Sequence, residues 1–252
     1  IERGGRNGLS MATATNGFLL NQDKLERILP NLTYLRFNIS AGEPKRYAEI
    51  MGCKEQWFER VCKNIELAVK IKKEKKLDVT IGMQMVFMPQ YHDQIIPLAK
   101  LGKELRPDYL VIKQCSDDEY GSLGVEYEKY KDHFKLLKQA ESMSDEEYKV
   151  RVKWSKIKSE GVRTYQRCYG PPFLLQMSGS GLIAPCGQLF NEKFNCSIWF
   201  IKQFTNTNFN LLILYLNTRT PAPARSRTRA ARSRFILTAS SAPPPPGLTP
   251  RP

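Results

Sequence analysis

The chain has 252 residues, 39 Lys/Arg against 25 Asp/Glu, and a formal net charge of +14. That length accommodates one large or two modest domains with real cores. The charge invites a nucleic-acid reading, but the eight Lys/Arg beyond Phe194 come with no acid and leave the first 193 residues at only +6, with no cluster of basic and aromatic residues that would form a binding groove.

The opening, IERGGRNG, carries charge and glycine where a signal peptide would be apolar. "LSMATATNGFLL" is a short apolar strand running into the turn Thr15-Asn16-Gly17. "QDKLERILPNL" places Leu25, Ile28, Leu29 and Leu32 on one helical face and stops at Pro30-Asn31. Residues 32–40 form a second strand. In "EQWFERVCKNIELAVKIKKEKK", Phe58, Val61, Cys62, Ile65 and Val69 share a face and Lys/Glu cover the rest. A third strand spans 78–88, and a helix over 92–106 follows, with Pro97 expected to kink it or end its first turn. A fourth strand spans 108–116. The pattern β-α-β-α-β-α-β, with about 25–40 residues between strands, predicts an α/β fold built on parallel crossovers.

Residues 117–160 change character. A charged loop leads to a helix with Tyr127, Tyr130, Phe134 and Leu137 on one side. Ser144 and Glu147 make a capping box for a further turn. "KVRVKWSKI" alternates Val150, Val152 and Trp154 as a half-buried strand, and "FLLQM-SGSG-LIAPC" is a strand, a turn and a strand. Past Phe194, an Asn/Phe/Ile/Leu-rich block gives way to a Pro/Ala/Arg/Ser-rich one. The expectation is an aberrant, disordered tail over 194–252, translated from non-coding or misjoined sequence. The stretch "IWFIKQFTNTNFNLLILYL" is broken by Lys202, Gln203 and several Asn, so no membrane span is expected. Six cysteines in a chain this long do not make a disulfide framework, and a cytoplasmic location is expected.

In parallel α/β folds the active site lies at the carboxyl ends of the strands. The polar residues expected there are Thr15-Asn16-Gly17, Asn38, Ser40, Gln84 with Gln90, and Lys113 with Gln114. They suit hydrogen bonding to a small organic ligand; taken singly, each is an ordinary turn or cap residue. His92 and His133 read as surface or capping residues, Cys62 as a small hydrophobe, and Cys115 as a buried structural thiol at a strand end. Cys168 and Cys186 flank the predicted hairpin, with Gly179 and Gly181 between them. A disulfide, a zinc or iron–sulfur site and a packed core pair all fit that spacing.

Taken together and in order, these motifs resemble radical S-adenosylmethionine enzymes with a C-terminal SPASM domain. The residues carrying the resemblance are "TNGFLL" at Thr15 to Leu20, "LTYLRFNISAGEPKRYAEIMG", "FERVCKNIELAVKIKKE", "VTIGMQMVFMPQ", "YLVIKQC", and the Cys168…Gly181…Cys186 spacing. They cover roughly residues 9–193. The resemblance implies a partial TIM-like (β/α)6 barrel over 1–118, containing about strands three to six. A linking helix and strand over 119–160 and the start of a small α+β SPASM-like domain over 161–193 would follow. It implies S-adenosylmethionine held by Thr15, Asn16, Asn38, Ser40, Gln84 and Lys113. It also implies an auxiliary 4Fe–4S cluster ligated by Cys168 and Cys186, a peptide or protein substrate, and an electron donor. The family cleaves the cofactor to a 5′-deoxyadenosyl radical that abstracts hydrogen. The family's C-x3-C-x2-C loop and the later SPASM cysteines have no counterpart in these 252 residues, so this chain alone is expected to be inactive. The alternatives are a non-enzymatic barrel fragment whose basic tail binds acidic partners or nucleic acid, and a zinc-binding structural module.

Overall fold

The computed structural model describes residues 1–117, 121–162 and 165, together with the two-residue strands at 176–177, 183–184 and 237–238. After a one-turn helix α1 (Glu2–Arg6), strand β1 (Met11–Thr15) leads through the Gly17 turn to α2 (Gln22–Ile28). The Asn21 side chain caps α2 by accepting from the Lys24 N–H at 3.0 Å. Pro30 tightens the exit into a 3-10 turn, and β2 (Leu32–Asn38) follows.

Next comes α3 (Pro44–Met51), a helix that the apolar pattern does not announce. Its apolar signal is short, with Tyr47 its one buried residue, but its ends are well marked. Pro44 sits where no N–H is needed and Gly52 closes the helix at φ 62°. The long helix α4 (Gln56–Glu74) buries the predicted stripe, including Phe58, Val61, Ile65 and Val69. Strand β3 (Thr80–Phe87) is followed by a 3-10 segment and α5 (Ile95–Leu105). Pro97 therefore lies in the first turn of α5, and residues 92–94 precede the α-helix rather than forming part of it.

Strand β4 (Tyr109–Gln114) precedes a 3-10 turn that runs into α6 (Phe134–Glu141), and then β5 (Lys149–Val152). No helical turn starts at Ser144. Its hydroxyl accepts from the Val150 N–H at 3.0 Å, while the Asp145 carboxylate accepts from the N–H groups of Glu147 and Tyr148. Ser144 thus ties the end of α6 to β5 instead of capping a helix. Trp154 does not continue the strand but opens α7 (Trp154–Ile157), where its indole N–H donates to Glu141 at 2.8 Å.

The strands lie side by side in the order β5-β4-β3-β2-β1, all parallel. β5, assigned from sequence to a linking segment, is thus the fifth strand of the same sheet, with α6 as its crossover. A two-residue strand β8 (Leu237–Thr238) lies parallel beside β1. The predicted hairpin is present as β6 (Gln176–Met177) and β7 (Ile183–Ala184), antiparallel, with Met177 opposite Ile183.

The helices form one layer, α2 against α4, α4 against α5, α5 against α6, on one face of the sheet. Leu35, Phe37, Ile81, Met83, Met85, Phe87, Leu110 and Ile112 enter that layer and are all fully buried. Each such side chain is worth about 1.5–3 kcal/mol of transfer free energy. At the amino end of the sheet, Lys72 of α4 meets both oxygens of Asp108 at 2.6 Å, and Asp108 also accepts the Ile81 N–H at 2.6 Å. Among the described residues no helix is long and apolar enough to cross a membrane.

Candidate functional site

Side chains alternate along a strand, and partners in a parallel pair share a face. The residues between those that enter the helix layer therefore point to the opposite, inner face. Register aligns them in rows. Ala14, Arg36, Gly82, Tyr109 and Lys149 form one row. Asn38, Gln84, Val111 and Arg151 form the next, and Val86 with Lys113 the one above.

The inner face gathers several of the predicted residues and separates others. Gln84 lies within β3 rather than at its end, but stands directly opposite Asn38. Its amide donates to Asn38 Oδ1 at 3.1 Å. The Ser40 hydroxyl, just above, accepts from the Val86 N–H at 3.2 Å and is nearly buried. Lys113 completes this group. Thr15 instead pairs with Phe37 on the helix face, and its hydroxyl accepts from the Gly17 N–H at 3.0 Å. Asn16 sits exposed at the rim, its side chain accepting from the Phe18 N–H at 3.2 Å. Gln114 also faces the helices, opposite Phe87, and Gln90 is exposed.

The turn after β1 is held from below. Asn64 of α4, buried, donates to the Gly17 carbonyl at 2.8 Å. Gly17 has φ +77°, and a Cβ there would lie 2.6 Å from the Phe37 ring, so this position needs glycine twice over. Gly82 is required for close approach instead. A Cβ there would stand 2.2 Å from the Tyr109 ring, which lies across the inner face towards Arg36.

Electrostatically the inner face is cationic. Burial, reinforced by the Arg36 and Lys156 charges, holds the Lys113 ammonium below its ordinary pKa. Arg36 Nε is buried with no hydrogen-bond partner. Burial raises the Tyr109 phenol, opposed by the Arg36 charge beside it.

The described cysteines are poor metal ligands. Cys53, Cys62 and Cys115 are free thiols. Burial pushes Cys62 up to about 12 and also raises Cys115, favouring the protonated form. No group of three or more His, Cys, Asp or Glu that could hold a metal is present among the described residues. Cys168 and Cys186, the predicted cluster ligands, lie outside them.

His92 is exposed, as expected of a surface residue, and His133 is half-buried. Their rings stack at 4.6 Å, and His133 meets Phe87 edge-on at 5.8 Å. Arg151 and Lys153 were missed from sequence because their strand had been placed outside the barrel.

No family model and no curated protein matches the sequence. Solved structures do match. Streptococcus suis SuiB bound to S-adenosylmethionine aligns with 73 % of this chain at 14 % identity and TM-score 0.52. SuiB bound to its precursor peptide SuiA aligns with 73 % at 15 % identity and TM-score 0.53. A looser likeness, with TM-score 0.48 and 16 % identity over 84 % of this chain and 60 % of the other, is to native anSMEcpe with bound AdoMet. The chain spans 44 % of the length of SuiB. The chain thus shares the fold of the part of SuiB with which it aligns, an open parallel α/β sheet with its helices on one side.

Proposed function

We propose that this chain is part of an S-adenosylmethionine-dependent radical enzyme, that it binds the cofactor on its inner face, and that its substrate is a peptide. The observation that carries the reading is the Asn38–Gln84 pair. It lies on the inner face of a sheet whose fold matches SuiB, a protein crystallised with S-adenosylmethionine and with a precursor peptide.

The residues present fit the cofactor. The bond between Asn38 and Gln84 uses Gln84 Nε2 and Asn38 Oδ1, leaving Asn38 Nδ2 as a donor and Gln84 Oε1 as an acceptor for a hydroxylated, amine-bearing ligand. Ser40 braces β3 beside them, and the Gly17 turn closes the rim over β1. Lys113 stands within the same face to meet a carboxylate. In this reading Thr15 and Asn16 shape the rim through their turn. When bound and reduced by one electron, S-adenosylmethionine supplies hydrogen abstraction. The described cysteines do not fit an iron–sulfur cluster, and no reaction step is assigned to one. An auxiliary 4Fe–4S cluster on Cys168 and Cys186, and an external electron donor, belong to the same proposal. Without a C-x3-C-x2-C the chain binds the cofactor and leaves it intact.

Calorimetric titration of the full chain with S-adenosylmethionine tests this. Binding is expected without release of 5′-deoxyadenosine, even after anaerobic treatment with iron and sulfide. Asn38→Ala, checked for folding by circular dichroism, is expected to weaken binding about tenfold, the worth of one well-made hydrogen bond. A folded wild-type chain that binds no S-adenosylmethionine overturns the reading.

A further inference from the structure

The inner face carries more positive charge than the cofactor can use. Arg36 on β2, Lys113 on β4 and Arg151 on β5 all stand on it by register. Lys153 continues β5, its N–H donating to Ile112 at 2.9 Å, and Lys156 follows on α7. The cations sense one another: Arg36, Lys156 and Lys153 all act on Lys113, and Arg36 and Arg151 both act on Tyr109. None of the five forms an ion pair with a described residue, although twelve such pairs occur elsewhere on the molecule. The nearby carboxylates are already engaged. Asp117 accepts from the N–H groups of Leu123 and Val125, and Glu141 from Val152 and Trp154.

Arg36 and Lys113 are half-buried, whereas Arg151, Lys153 and Lys156 are exposed. Holding like charges together at the half-buried end is unfavourable unless an anion completes it, and the exposed three extend the positive field along β5 and α7. S-adenosylmethionine has one carboxylate against one ammonium and one sulfonium, so it is itself a net cation. It can satisfy one of these side chains and adds to the excess.

The spacing also exceeds a single carboxylate. From β2 to β5 is three strand intervals, about 14 Å at roughly 4.8 Å each. That is the length of about four extended residues.

We propose that the substrate of this site is an acidic peptide segment, laid across β2 to β5 so that successive carboxylates meet Arg36, Lys113, Arg151 and Lys153. The inference rests on the cofactor-site reading above and adds the chemical class of the substrate. A peptide is favoured over a nucleic acid because the inner face offers Asn, Gln and Ser beside its cations and, among the described residues of β1 to β5, only Tyr34 and Tyr109 as rings on which bases would stack.

The test uses the full chain, saturated with S-adenosylmethionine, and three capped ten-residue Gly/Ser peptides carrying four Glu, four Gln or four Lys. Calorimetry is expected to show the Glu peptide binding at least about tenfold tighter than the Gln peptide, with the difference shrinking as salt rises. The double variant Arg151→Glu/Lys153→Glu takes these five side chains from +5 to +1 and is expected to remove most of the Glu preference, with folding checked by circular dichroism and by retained S-adenosylmethionine binding. Loss of the preference in a folded variant also excludes capture by the basic residues beyond Phe194, which the variant leaves untouched. Equal affinity for the Glu and Gln peptides overturns the inference. So does an unchanged Glu preference in the double variant, or displacement of the Glu peptide by a lower concentration of a ten-nucleotide oligothymidylate. Binding of S-adenosylmethionine alone is measured in parallel. Its absence counts against the cofactor reading, and a missing Glu preference with cofactor binding intact counts against this inference only.

Discussion

The two faces of one sheet obey opposite rules. On the helix side, β2 to β4 present Leu35, Phe37, Ile81, Met83, Phe87 and Ile112, all fully buried in a continuous apolar core. On the inner side, the intervening residues of the same strands include Arg36, Asn38, Gln84 and Lys113 beside Gly82, Val86, Tyr109 and Val111, with a buried Nε on Arg36 that has no partner. The period of two is identical; only the chemistry differs. One face has been optimised for stability. The other keeps charge and unfilled hydrogen-bonding capacity at a cost to stability, as expected where a ligand completes the structure.

The contrast is sharpest in mutants that remove comparable bulk from the two faces. Phe37→Ala, on the helix side beneath the Gly17 turn, is expected to cost about 4 kcal/mol, from lost transfer energy plus the cavity left in a packed layer. Urea unfolding would report it. A change below about 1 kcal/mol would mean that the layer is far looser than its burial implies.

Lys113→Met tests the inner face and should have the opposite sign. Burial and the Arg36 charge hold the Lys113 pKa down. Between that lowered value and the ordinary value near 10.4, the unfolded chain binds more protons than the folded one, so stability rises with pH in that window. Below it, the folded state bears the full cost of a charged, partly buried ammonium. Lys113→Met is therefore expected to stabilise the chain at pH 7, on the order of 1 kcal/mol. The advantage over wild type should shrink as pH rises towards 10. A variant less stable than wild type at pH 7 would show that Lys113 supports the fold rather than a ligand.

These faces were unequally legible in the sequence. The helix side could be read directly, because apolar periodicity reports burial: the stripe Phe58, Val61, Ile65, Val69 and the first four strands were found where they were expected. The inner face was read only in part. Asn38 and Gln84 stood out as polar residues in apolar strands, but their pairing depends on the β2–β3 register, which no local pattern encodes. Thr15 was misplaced by one step of the same alternation, since it shares the Phe37 side. Arg151 and Lys153 were invisible as site residues because their strand was legible but its place beside β4 was not. Pairing with β4, a long-range contact, is what brings them to Lys113.

The smallest expected effect lies where the helix-side face ceases to be apolar, at the upper end of β3. His133 meets the Phe87 ring edge-on and stacks on His92 with the planes 10° apart, while His92 Nδ1 lies 2.9 Å from the Pro89 carbonyl. Burial first, and the His92 charge second, hold the His133 pKa below 6.5, with Asp132 opposing them. A base whose pKa falls on folding is neutral in the native state while the unfolded chain already takes up a proton. This contribution is thus fully present above about pH 6.5 and is lost as pH falls towards the lowered folded value. His133→Phe keeps an aromatic ring against Phe87 and His92 but cannot take up a proton. Urea midpoints of wild type and variant, compared at pH 7.5 and pH 5.5, should therefore converge or cross on acidification, with the variant gaining relative to wild type. Parallel curves would mean that His133 titrates alike in both states, and that the helix-side face is electrostatically inert up to its rim.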